Sequence, residues 1–278
     1  MSPQAAPLVK TDYNVVACKT CSFYFVAPEV SLSEDDWEML YSKDYFEEML
    51  PWWAKKRKED RRRQLDWLQE CARGDVERFL DVGCGEGHVL IEASARGWSP
   101  YGIDISDNRI DAAKNERIHF IKGSIFEASF PDGFFDSVYM NSVLEHVVDP
   151  MKLLREIKRV LRAGGLLFFG VPNEDSLYND VRQVLFKLFG RGELSARLSP
   201  FKSPYHVSGF TKKSIGAALD EVGFEAVGFR NFAGEYEWRK YRLLSRPFFI
   251  HFIMLPVHVV AIPLRKRVYF EVLALRRS

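Results

Sequence analysis

From Arg78 onward, short apolar runs recur between stretches of helical periodicity. RFLDVG, PYGIDIS, IHFIKG, FFDSVYM and GLLFFGVPN read as strands, and GHVLIEASARG, SDNRIDAAKN and DPMKLLREIKRVLRAGG as helices. Such alternation builds βαβ units and a doubly wound, mostly parallel sheet with helices on both faces. The helix after Asp149 is the best marked: Asp149 caps it, Pro150 fits its first turn and Gly164 ends it. Its apolar residues Leu153, Leu154, Ile157, Val160 and Leu161 share one face.

The flanks are less regular. A helix is predicted over Pro51–Arg73, with Gly74 suited to its C-terminal end. Residues 1–50 show no periodicity until about Asp35 and read as an appendage to a main domain over 51–278. After Asn173 a polar and aromatic insertion, 174–205, is long for a plain connection and suits a lid or binding loop. A helix (TKKSIGAALDEVG), a strand (EAVGFRNF), an apolar insertion over 235–264 and a last strand (VYFEVLAL) follow.

The length of 278 residues accommodates one large α/β domain plus that appendage. A formal net charge of +1 provides no field to draw nucleic acid, so no nucleic-acid partner is expected. Four cysteines in a chain this long make no disulfide framework. The start lacks a basic region followed by an apolar run, so a cytoplasmic location is expected.

Candidate chemistry concentrates at the first strand–helix junction, Asp81-Val82-Gly83-Cys84-Gly85-Glu86-Gly87. Glycines there let the backbone turn tightly and approach a ligand beside the amides of a helix N-terminus. Asp104 ends the next strand, 21 residues after Gly83, where a carboxylate can accept both hydroxyls of a ribose. A dinucleotide fold would place a third glycine where His88 stands. A nicotinamide-dependent oxidoreductase is therefore the weaker reading.

Taken in order, DVGCGEG, GIDIS, FFDSVYMNSVLEHVVDP and LRAGGLLFFGVPN resemble the class I S-adenosylmethionine-dependent methyltransferases. The resemblance spans Arg78–Asn173 and resumes over His206–Phe232. It implies a Rossmann-like sheet of seven strands, the last antiparallel, with S-adenosylmethionine as cofactor. By the same resemblance Asp81, Gly83 and Gly85 would lie against the methionine part, Cys84 and Gly87 would also bind the cofactor, and Asn141 would line the cleft near the sulfonium. Asp104 would hold the ribose and Ile105 would pack on the adenine. The acidic residue that such enzymes often carry after the third strand is replaced by Lys122-Gly123-Ser124-Ile125-Phe126. There Ser124 and Ile125 are the candidates, and Glu127 is within reach. A protein that binds the cofactor without turnover remains an alternative.

Methyl transfer from a sulfonium to a hydroxyl needs alignment and a base. His146, just past the fourth strand, is either that base or a packing residue at the cleft floor. His206, after the long insertion, is a base, a substrate contact or a clip for the lid. Aromatic and basic residues in the insertions suggest a small-molecule, saccharide or lipid-linked acceptor, methylated on oxygen before nitrogen or carbon.

Four further features stand outside the core motifs. Cys18-Lys19-Thr20-Cys21 has the spacing of half a zinc ribbon, and without a second pair an unmetallated remnant is expected. Tyr41–Phe46 resembles an element that folds over the cofactor in such enzymes. Lys55–Arg63 holds seven basic residues in nine and reads as a solvated helix face, with phosphate attraction as the functional alternative. Pro247–Leu264 has no Lys, Arg, Asp or Glu, but its two histidines and internal prolines argue against a full membrane span. It either packs on the domain or makes peripheral contact with a membrane.

Overall fold

A computed structural model describes residues 14–30, 33–41, 51–188, 198, 206–232 and 252–278. Its centre is a sheet of seven strands: β3 (Arg78–Val82), β4 (Ser99–Asp104), β5 (His119–Lys122), β6 (Phe135–Asn141), β7 (Leu161–Pro172), β9 (Phe224–Phe232) and β10 (Tyr269–Arg276). Their spatial order is β5-β4-β3-β6-β7-β10-β9. The first five run parallel, and β10 pairs antiparallel with both β7 and β9.

Residues on either side of each strand go to opposite layers, as a period of two requires. Val138 and Met140 of β6, with Leu167 and Phe169 of β7, join one cluster with Leu154 and Ile157. Those two belong to α4 (Pro150–Val160), and α6 (Lys212–Val222) adds Ile215 and Leu219. Tyr139 and Phe168 face the other way, against Leu65 and Leu68 of α2 (Pro51–Cys71) and Val89 and Ala93 of α3 (His88–Ala95). Burial of each such large side chain contributes about 1.5–3 kcal/mol.

One polar network lies inside the second layer. Tyr139 donates to Gln64 at 2.6 Å, and the Gln64 amide donates to Glu271 at 2.7 Å. Burial raises the Glu271 carboxyl above its ordinary value, opposed by the Gln64 bond and the nearby Arg63. These bonds satisfy polar atoms that would otherwise destabilise the layer.

Several expectations are corrected. SDNRIDAAKN forms only a 3-10 turn at Asp111–Ala113. Asp107 there accepts from the backbone and side chain of Arg109, and Asn115 accepts from the Arg117 amide, so local bonds compete with a helix. The helix after Asp149 ends at Val160, not Gly164, because Leu161 already pairs with Phe135. Gly164 instead takes a positive φ inside β7. The Asp149 cap is present: its carboxylate accepts from the Lys152 amide at 2.9 Å.

The appendage contains an unforeseen hairpin, β1 (Asn14–Ala17) and β2 (Tyr24–Ala27), followed by α1 (Glu34–Leu40). β2 also pairs with β8 (Ser208–Gly209). Val15 and Val26 are buried with Leu198 and Val207, so strands of four residues gain a small core of their own. Cys18 and Cys21 sit at the hairpin turn, where backbone amides of Cys21 and Thr20 hold the Cys18 thiol below its usual value. Two further helices complete the described chain, α5 (Leu177–Leu188) and α7 (Leu255–Val260).

Candidate active site

The glycine loop leaves β3 at the carboxyl edge of the sheet, where ligands of open α/β sheets bind. Gly83, Gly85 and Gly87 all take positive φ, at 69°, 49° and 76°. At Gly83 space adds to the constraint, since a Cβ would stand 2.5 Å from Val143 Cγ2. Ile103 O accepts from the amides of Gly83 and Cys84 at 2.8 and 3.2 Å, which fixes the loop on β4.

Asp104 closes the loop from the neighbouring strand. Its Oδ2 accepts from the Gly85 amide at 2.8 Å and its Oδ1 from the Ser106 amide at 3.2 Å. Burial nevertheless raises its pKa. Asp81 is 2% exposed. Burial, and then the charge of Asp104, push its carboxyl well up, with Arg61 pulling the other way. A buried carboxylate beside a half-buried one suits a ligand that brings positive charge.

Arg61 is the residue that sequence reasoning missed. Within the basic run, Arg57 and Arg61, one helical turn apart on α2, act electrostatically on Tyr139 and Glu86 and so depart from a purely solvated face. Burial lowers the Arg61 pKa, against the pull of Tyr139, Glu86 and Asp81. The period of four within the run was the available signal.

The remaining cofactor candidates fall around this loop. Ile105 is half-buried after β4, and Ile125 is buried beyond β5. The Ser124 amide and hydroxyl donate to Glu127 at 3.0 and 2.9 Å, which holds the Glu127 carboxylate beside Ser124. Those bonds lower its pKa. Asn141 ends β6, where a Cβ on Gly170 would lie 2.1 Å from its Oδ1. The Cys84 thiol turns away into a cluster with Leu90, Ala113 and Ile118, where burial raises its pKa. Of Cys84, only the backbone faces the loop.

The opposite wall is a 3-10 turn, Leu144–His146, directly after β6. It brings both predicted histidines together, their ring centroids 4.9 Å apart. Tyr41 meets His146 through a 2.8 Å bond between its hydroxyl and Nδ1. The Asn108 amide donates to Tyr41 O at 2.9 Å, tying this part of the appendage to the loop after β4. His206 Nε2 lies 4.0 Å from Glu145 Oε1. Burial, and then the charge of His146, keep the His206 pKa well below its usual value. Tyr41 belonged to the expected lid element; residues 42–46 of that element lie outside the described residues.

Glu145, His146 and His206 offer three ligand atoms within 4.8 Å of one another. The 4.0 Å spacing of Glu145 and His206 is wider than the ligand spacing around a tetrahedral zinc with bonds of about 2.0–2.1 Å. As it stands, the cluster is an imidazole pair beside a carboxylate.

A family model described as a methyltransferase domain matches residues 53–228. The chain belongs to this methyltransferase family. A ubiquinone biosynthesis O-methyltransferase from Bordetella avium is 31% identical over 181 residues, covering 60% of this chain and 70% of that protein. The 27-O-demethylrifamycin SV methyltransferase of Amycolatopsis mediterranei is 33% identical over 121 residues, 39% of this chain and 44% of that one. The same fold occurs in a SAM-dependent methyltransferase from Archaeoglobus fulgidus, with a TM-score of 0.53 at 20% identity, covering 79% and 92% of the two chains. This methyltransferase therefore uses S-adenosylmethionine as its methyl donor, and the nicotinamide reading is set aside. The cation-seeking carboxylates at its glycine loop fit that donor.

Proposed function

We propose that this methyltransferase acts on a hydroxyl oxygen of a small-molecule acceptor, with His146 as the general base. The Tyr41–His146 hydrogen bond carries this reading, because it fixes the imidazole at the cleft wall. S-adenosylmethionine supplies an electrophilic methyl group when bound. Asp104 holds the ribose hydroxyls, while Asp81 and the amides of Gly83, Gly85 and Gly87 face the methionine portion. Arg61 is placed to pair with the methionine carboxylate, and Asn141 lines the cleft between the two ends. Ile105, Ile125 and Ser124 enclose the adenine, with Glu127 as its acidic neighbour.

His206 has a different role. Burial keeps the His206 imidazole from taking up a proton, and its ring lies 4.9 Å from that of His146, so it shapes the surroundings of the proposed base without acting as the base itself. His206 is thus a positioning residue. Residues 14–41 serve as a cover, tied to the domain by the β2–β8 pairing and by Tyr41. Burial at this wall excludes water, which strengthens the electrostatics of the transfer. The acceptor classes are small organic alcohols or phenols, saccharides and lipid-linked hydroxyls, all approaching from the side of the 174–205 insertion. Of that insertion, 189–197 and 199–205 lie outside the described residues.

Radiolabelled methyl transfer into a cell extract tests the assignment. His146→Gln should lower turnover about 10²–10⁴-fold, the usual contribution of a general base, with S-adenosylhomocysteine affinity preserved. Turnover retained in both His146→Gln and His206→Ala would remove the base from this wall. Turnover abolished by a chelator and restored by a divalent ion would instead make the cluster a metal site.

A further inference from the structure

We infer that α5 and α7 together form a docking face for an anionic lipid bilayer. The two helices are packed on each other and on the sheet by an inner face. Tyr178, Met254 and Val268 are buried there with Val181 and Val257 at their edge. Tyr178 stacks on His258 with ring centroids 5.4 Å apart, and the Leu177 amide donates to Lys266 O at 2.9 Å. The core requirement of these helices is thus already met.

Their outer faces are apolar nevertheless. Of fifteen large apolar side chains exposed among the described residues, ten lie on residues 184–188 and 252–264. Leu188 is 75% exposed, Ile253 70%, Val259 57% and Ile262 55%. Exposed apolar side chains gathered on two helices packed against each other mark a contact surface. No helix among the described residues is long and apolar enough to cross a membrane. Contact is therefore peripheral, with the apolar face entering the headgroup boundary.

Charge selects the partner. Between Glu237 and Glu271 the sequence has no Asp or Glu and seven Arg or Lys: Arg239, Lys240, Arg242, Arg246, Arg265, Lys266 and Arg267. Arg265 is exposed at the end of the apolar stretch. Lys187 is exposed on α5 and Arg265 after α7, while Lys266 pairs with Asp180 of α5 at 2.9 Å. Exposed cations beside an apolar face complement anionic headgroups, each contributing about 1 kcal/mol near the surface. A protein partner would need an acidic rim around an apolar centre; a bilayer presents both over any area.

The face also lies beside the cleft. Asn173, which follows β7, donates to Arg267 O at 2.7 Å, and Tyr269 begins β10 with its hydroxyl 3.4 Å from Asn141 Oδ1. A bilayer held by α5 and α7 would meet the same edge of the sheet as the proposed acceptor entrance. The docking itself does not depend on which acceptor is methylated. Residues 247–251 of the apolar run foreseen from sequence lie outside the described residues.

Vesicle flotation of the full chain tests this inference. Wild-type protein should float with vesicles of phosphatidylcholine and phosphatidylglycerol, less with phosphatidylcholine alone, and less again at high salt. The triple variant Ile253→Asp, Val259→Asp, Ile262→Asp changes only exposed positions and should weaken partitioning roughly tenfold or more. Arg265→Glu should reduce the preference for anionic vesicles. Calorimetric binding of S-adenosylhomocysteine by each variant separates loss of docking from loss of the cofactor site. Wild-type protein remaining at the bottom overturns the inference, as does a triple variant that floats equally well. A wild-type dimer dissolved by the triple variant would assign the face to self-association instead.

Discussion

Tyr41 and His146 are joined by a 2.8 Å hydrogen bond across 105 residues of chain. Tyr41 belongs to the N-terminal appendage and His146 follows β6, so one bond ties the proposed cover to the orientation of the proposed base. Tyr41→Phe keeps the ring that packs edge-on to the imidazole at 5.4 Å and removes only the hydroxyl. Turnover should fall about tenfold, in line with one lost orienting bond of about 1 kcal/mol or slightly more. S-adenosylhomocysteine affinity should not change. Steady-state kinetics beside calorimetry checks this, and an unchanged kcat would detach Tyr41 from the chemistry.

Asp104→Ala removes a carboxylate that accepts from two backbone amides and is proposed to grip the ribose. Bonds to charged groups contribute about 1.5–3 kcal/mol, so affinity for S-adenosylhomocysteine should fall roughly 10–100-fold. Titration calorimetry reads the change directly. Equal affinity in the variant would place the nucleoside elsewhere.

Gly83→Ala places a Cβ 2.5 Å from Val143 Cγ2 at a backbone φ of 69°. Strain in the left-handed region together with that clash should cost about 1–3 kcal/mol. Because Val143 adjoins the 3-10 turn carrying His146, turnover should fall along with stability. Thermal unfolding and kinetics on one preparation test whether the two losses travel together.

The parallel order of the central strands was legible because fully buried strands make short apolar runs, and the glycine loop because only glycine suits its φ values. The hairpin over residues 14–27 was not legible, since its stability comes from Leu198, Val207 and β8, all distant in sequence. The helix expected over 106–115 failed for the opposite reason: Asp107 and Asn115 satisfied the backbone locally. At the site, both carboxylates and both histidines could be named from their motifs. The inward turn of Arg61 could not, because a charge run looks solvated until its helix is packed. The pairing of the histidines required residues 146 and 206 to meet, which no local pattern encodes.

His206 gives stability a pH dependence. Its folded-state pKa lies well below the ordinary value of 6.5, through burial and the neighbouring His146 charge. The unfolded chain therefore binds a proton more readily than the folded one. Stability from this group is fully present above about pH 6.5 and is lost as pH falls through the folded-state value. In His206→Gln, the decline of melting temperature just below pH 6.5 should flatten. An unaltered decline would assign it to other groups, such as His146 or Glu145, which face the same cluster.

Asp81 and Asp104 titrate in the opposite sense, and this distinguishes the donor from its product. Burial raises both carboxyls, and the charge of Asp104 further opposes ionisation of Asp81. Their folded pKa values lie above those of the unfolded chain, so ionisation at neutral pH opposes folding and acidification relieves that penalty. A bound sulfonium favours the ionised pair, whereas the neutral thioether of S-adenosylhomocysteine offers less compensation. Affinity for S-adenosylmethionine should accordingly rise with pH more steeply than affinity for S-adenosylhomocysteine, with proton release on donor binding. Calorimetry in two buffers of different ionisation enthalpy measures that release. In Asp81→Asn the difference between the two ligands should shrink, and parallel pH profiles in the wild-type protein would show that these carboxylates do not sense the methyl-bearing charge.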